Sequence, residues 1–185
     1  PWVRTHALTE YVDSPGILSK YPGTKITYNI VPSLIEQLVD YNLNETLDRH
    51  TDWAKRPINN NTGYPEMTEL ELHTMQFEYF WNSGWIYNAT WEASKRYKYL
   101  WEKTLHNLKP NTILNDQLLP PQEFLDLQVL WFLFQFSPSY IKGEYDSRHY
   151  DSELLRLFNQ NGNYTRADLQ YVLDTQHEKL ADVLP

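Results

Sequence analysis

The run Lys20 to Tyr41, KYPGTKITYNIVPSLIEQLVDY, limits the folds open to this chain more than any other stretch, because strand and helix signals meet in it with clear punctuation. Pro22-Gly23 is a turn dipeptide. After it, Ile26, Tyr28 and Ile30 alternate with Thr27, Asn29 and Val31, a β-branched and aromatic run of strand length. Pro32 stops the strand. Ser33, with Glu36 three residues on, has the spacing of a capping box that opens a helix on Leu34, Ile35 and Leu38. A strand feeding directly into a helix is the repeating half of an α/β architecture, in which polar groups at the strand's carboxyl end face ligands. Asn29 holds that place.

No second strand is written elsewhere, so the expected class is mostly α with a small α/β element: a strand-helix portion at 1–43 and a helical portion at 44–185. Residues 4–20 read as two helical pieces divided at Ser14-Pro15-Gly16. Helices are expected from about Asn44 to Lys55, Pro65 to Asn82 and 89 to 108, with Pro57 to Pro65 a loop. Pro120-Pro121 opens a helix whose later half, Val129 to Phe134, is apolar on every side and therefore buried among others. A shorter helix follows from Asp151 to Phe158. The last starts at Thr165, capped by Asp168, and runs to about Val183. One strand cannot make a sheet. Either it pairs with that of a second copy, which makes a homo-oligomer, or its neighbours lie outside the segment, and the second is expected.

A formal charge of −8 and no basic run argue against nucleic acid or an anionic membrane as partner. The absence of cysteine removes disulfide frameworks, thiolate zinc sites and cysteine nucleophiles, and fits a reducing, cytoplasmic compartment. The opening Pro1-Trp2-Val3-Arg4 carries neither an initiator methionine nor an apolar leader, which reads as a piece cut from a longer chain. Four sequons, at Asn44, Asn60, Asn88 and Asn163, read as chance products of an asparagine-rich sequence.

Glycosidase chemistry needs two carboxyl groups facing one another across a sugar. Glu66, Glu69, Glu71 and Glu78 lie close together but read as the solvated face of one helix. Asp146-x-x-His149 and Asp174-x-x-His177 place a carboxylate and an imidazole one turn apart, yet each lacks a third ligand, so both read as surface pairs and no metal is expected. Trp53, Trp81, Trp85, Trp91 and Trp101 read as core or helix-interface packing. Arg4, His6 and Asn29 are the better binding candidates, because they sit on the α/β portion where a polar group can be aimed at a pocket.

Residues 1–8, PWVRTHAL, and 21–38, YPGTKITYNIVPSLIEQL, resemble the early catalytic-domain segment of glycoside hydrolase family 57. Phe124 to Val129 and Tyr164 to Asp168 resemble later stretches of that family in the same order. The resemblance implies a retaining α-glucan enzyme of amylase, amylopullulanase, branching or glucanotransferase type on an incomplete β/α barrel with helical additions, with no cofactor. It implies a glutamate nucleophile and an aspartate acid and base, both in motifs that this chain lacks, so the segment alone is expected to be inactive. Arg4, His6 and Asn29 then fall where they line or support the substrate cleft, which the helices from 65 to 183 wall. The rival expectation is a non-catalytic helical module that binds a protein or a carbohydrate through its aromatic residues.

Overall fold

The computed structural model describes residues 2–43, 46–81, 94–105, 117–181 and 183, with the side chains of Trp81 and Leu105 left aside. Among these residues the chain is mostly α. The helices are α1 (Trp2–Ala7), α2 (Glu10–Ser19), α3 (Pro32–Asn42), α4 (Arg49–Lys55), α5 (Glu69–Trp81), α6 (Lys95–Leu105), α7 (Pro121–Leu133), α8 (Pro138–Lys142), α9 (Ser152–Gln160) and α10 (Arg166–Ala181), with a 3-10 turn at Ser147–His149.

The centre is α7, where Pro121 takes a position at which its missing amide costs nothing. Phe124 and every residue from Asp126 to Leu133 are buried on it. A helix apolar on all sides needs neighbours on all sides, and α7 has α10, α5, α6 and α9 around it. Helix α10 extends the packing to α3 and α4, and α3 carries α1. Leu127, Leu130 and Leu133 meet Met75, Tyr79, Tyr97, Leu157 and Val172 in one core.

Local chemistry explains the helix starts. The Thr165 amide donates to Asp168 Oδ2 at 2.7 Å and the Asp168 amide to Thr165 Oγ1 at 3.2 Å, a reciprocal box at the head of α10. Thr68 and Glu71 make the same box for α5, with amide bonds of 2.8 and 3.2 Å. That helix therefore starts four residues later than Pro65, which is held instead in a bridge with Ile58 across the Pro57-to-Pro65 loop. Asp48 and Asp151 cap α4 and α9.

The N-terminal portion departs from its sequence reading. No strand forms among the described residues: Thr24 to Val31 lie outside every helix and ladder, and the amides of Lys25 to Val31 find no backbone partner. A single extended segment has nothing with which to exchange ladder hydrogen bonds, whatever its side-chain pattern. Helix α3 opens with Val31 as its cap and Pro32 in its first turn, with no side-chain cap, so Ser33 lies inside the helix and makes no capping box. The first helical break falls at Leu8-Thr9 rather than at Ser14-Pro15-Gly16, because Pro15 is accommodated inside α2. Of the five tryptophans read as packing, Trp53 is buried and Trp101 packs against the core. Trp85, Trp91 and the Trp81 side chain lie outside the described residues, as do the sequons at Asn44 and Asn88 and both ends of the helix expected from 89 to 108.

Candidate functional site

One concentration of buried charge lies where α1, α4, α5 and α10 meet, and Arg4 is at its centre. On α1, Arg4 lies on the same side as Ala7 and Leu8, which carries its guanidinium into the core. One Nη1 donates to Thr51 Oγ1 at 2.9 Å and to Gln176 Oε1 at 2.7 Å, while Nη2 lies 3.0 Å from Asp48 Oδ2. The guanidinium also lies 5.2 Å from the centre of the Phe132 ring. Gln176 in turn donates to the Phe132 carbonyl at 2.7 Å.

Asp48 serves two purposes. As the cap of α4 its Oδ1 accepts from the amides of His50 and Thr51 at 3.0 and 3.2 Å, and its other oxygen faces Arg4. Burial alone would raise its carboxyl, but the neighbouring His50, the Arg4 charge and the Thr51 amide outweigh that and hold it well below the ordinary carboxylate range. Burial also pulls the Arg4 guanidinium below its ordinary value, with Asp48 working against that change. His50 stacks on Trp131 with ring centres 4.9 Å apart, and its Nε2 lies 2.8 Å from Glu78 Oε2. Glu78 also pairs with Arg49 at the surface.

The result is a chain of polar groups, Gln176, Arg4, Asp48, His50, Glu78 and Arg49, running from the core to solvent. Its chemistry is that of a fastener. Each carboxylate faces a cation or an imidazole, and the cavity beside Arg4, lined by neither Asp48 nor Glu78, has a volume of only about 30 Å³, too small to hold a sugar ring. Among the described residues no group of three or more His, Asp or Glu is placed to hold a metal ion.

The three residues singled out in the sequence are not brought together. Arg4 is buried in the network just described. His6 points the other way, stacked on Trp2 at 5.8 Å with Nδ1 2.8 Å from Glu10 Oε2, and half exposed. Asn29 lines a third place, an open groove of about 320 Å³ walled by Tyr11, Tyr28, Ile30, Leu34 and Ile35. Glu66 and Glu69 are solvated as expected, whereas Glu78 turns inward to His50. Asp174 and His177 are exposed. Asp146 and His149 lie 3.8 Å apart, and Arg148 holds the Asp146 carboxyl down to about 2. Sequence reasoning missed Asp48, His50 and Gln176. An aspartate immediately before the helix, the N-cap position, could have marked Asp48 as the cap, but the partners of Arg4 come from positions 44 and more residues away and leave no local signal.

No family model, curated protein or solved structure matches the chain. Its site is therefore read from its own geometry. No helix among the described residues is long and apolar enough to cross a membrane.

Proposed function

We propose that this chain is part of a retaining α-glucan hydrolase or transglycosylase, in which it acts as scaffold and substrate-cleft wall while the catalytic carboxylates belong to the remainder of the enzyme. One observation carries the reading. Ile26, Tyr28 and Ile30, in a segment of strand-like alternation, stand 50, 51 and 63% exposed, and the amides of Lys25 to Val31 have no backbone partner among the described residues. Apolar side chains left in water beside open main-chain amides invite a partner, and the segment fits a sheet whose other strands come from elsewhere in the same protein. On this reading the segment joins an incomplete β/α barrel, the helices from 65 to 183 are its additions, and Asn29 and His6 face the glucan. Arg4 supports α1 from behind. The parent is placed in the cytoplasm and needs no cofactor.

The intact mass of the native gene product in its source cells tests this. The expected result is a mass several times the 22.1 kDa of this chain. A mass equal to it would overturn the reading, because the sheet would then have no other strands. A second reading, a free-standing carbohydrate-binding module, is favoured by Trp2 and Tyr21, exposed at 58 and 62%. It predicts that maltooligosaccharides change the tryptophan fluorescence of the chain alone, whereas the cleft-wall reading predicts no such change.

A further inference from the structure

The sequence holds seven arginines in a chain rich in carboxylates. Six of them lie within ion-pair distance of an acidic side chain: Arg4 with Asp48, Arg49 with Glu78, Arg56 with Asp52 and Glu71, Arg96 with Asp126, Arg148 with Asp146, and Arg156 with Glu153 and Asp168. Arg166 is the exception among the described residues. It is half-buried, and its Nη2 donates to the carbonyls of Ala54 and Arg56 at 3.1 and 3.2 Å, at the carboxyl end of α4. Its Nη1 is buried and has no hydrogen-bond partner among the described residues.

A guanidinium withdrawn from water calls for a counter-charge, and two carbonyl oxygens supply only partial ones. Burial accordingly depresses the Arg166 guanidinium with no carboxylate to offset it. Beside it lies a cleft of about 170 Å³, walled by Ile58, Pro65, Pro121, Phe124 and Leu125, with the buried Gln128 also in its lining. Gln122 shares the lining, but its amide is already committed to Asp126 and to the Tyr164 carbonyl. An apolar cleft with one uncompensated planar cation is the usual form of a site that takes a ligand with a carboxylate head and a short apolar tail.

We propose that the cleft between the 57–65 loop and the start of α7 binds a small organic monocarboxylate, whose head group is the counter-ion of Arg166. The site is separate from the Asn29 groove and does not depend on the glucan reading. The loop that forms one wall is held close by Gly63, at φ +77°, where a Cβ would stand 3.1 Å from Pro121. The short tail follows from the cleft's volume.

The test is thermal unfolding of the whole chain at pH 7 and constant ionic strength, with sodium butyrate replacing sodium chloride, beside saturation-transfer NMR of the butyrate methyl group. The expected result is a Tm that rises with butyrate and is unmoved by chloride, with magnetisation transferred from the chain to the methyl group. Both effects should vanish in Arg166→Gln. Leu125→Trp, which fills the cleft and leaves the guanidinium in place, should also lose both, so the test stands even where Arg166→Gln fails to fold. Equal responses to butyrate and chloride, no response to either, or a butyrate response that survives in Leu125→Trp would each overturn the proposal.

Discussion

Replacing Asp126 with alanine should cost the fold more than any other single change of a polar side chain. Asp126 is fully buried in the middle of α7, accepts three hydrogen bonds, from Arg96 Nε at 2.9 Å, from Gln122 Nε2 at 3.0 Å and from the Tyr164 amide at 2.9 Å, and has Arg96 Nη2 in ion-pair contact at 2.8 Å. It thereby ties α6, α7 and the turn before α10 together. Removing one partner of a buried pair costs about 3–5 kcal/mol. Arg96 is 23% exposed and has Glu123 at 3.9 Å as a second partner, so the lower end, about 3 kcal/mol, applies to the ion pair. Leaving the Tyr164 amide without an acceptor adds about 1 kcal/mol or more. The sum, about 4 kcal/mol, corresponds to a fall in Tm on the order of 10 °C for a chain of this length.

Urea titration of Asp126→Ala, Arg96→Met and the double variant would separate the two contributions. The Arg96 variant alone should cost less, because it leaves Asp126 with its Gln122 and Tyr164 donors. The pair should show a coupling energy above about 1 kcal/mol. An Asp126→Ala loss below about 1 kcal/mol, or additive single changes, would refute the assignment of α7 as the polar as well as the apolar centre of the fold.

The Asp48 carboxyl titrates below its ordinary value in the folded chain, so it contributes stability above about pH 4 that is lost as the pH falls further. Asp48→Asn should therefore cost about 2–4 kcal/mol at pH 7 and progressively less below pH 4, read as converging urea midpoints of the two proteins. Gly63→Ala should cost about 1–2 kcal/mol in thermal unfolding, from a positive φ and a Cβ pressed on Pro121. Tyr28→Ser and Ile30→Ser should each change the stability of this chain by less than about 0.5 kcal/mol, because both side chains are already more than half exposed.

The helical portion was legible because its signals are local. A proline pair followed by an unbroken apolar run marks α7, and a threonine three residues before an aspartate marks α10, and both stand where expected. Pro65 misled by the same logic, since a proline that suits a first helical turn also suits the end of a tight loop, and the Thr68–Glu71 box decided between them. The Lys20 to Tyr41 run misled for a different reason. Alternation records which faces a strand can present, whereas a strand exists only with a partner, and Ile26 to Val31 have none among the described residues. The interior network was illegible because Arg4, Asp48, Glu78 and Gln176 are distant in sequence and nothing in any one segment specifies the others.

The geometry of α1 alone bears on which residues can share a cleft. Successive residues of an α-helix are rotated by about 100°, so positions two apart point to nearly opposite sides. Arg4 and His6 on one short helix therefore cannot both face a substrate. Arg4 shares its side with the buried Ala7 and Leu8, while His6 shares its side with Trp2, one turn earlier and exposed. Any partner that reaches α1 from outside meets an indole, an imidazole and the Glu10 carboxylate, and the guanidinium behind them acts only by holding the helix in place. His6→Ala and Arg4→Met should accordingly separate: the first leaves urea stability unchanged and alters what the outer stripe binds, whereas the second lowers stability by about 3 kcal/mol by leaving Asp48 without its cation. Equal losses of stability in the two variants would mean that α1 does not divide its faces in this way.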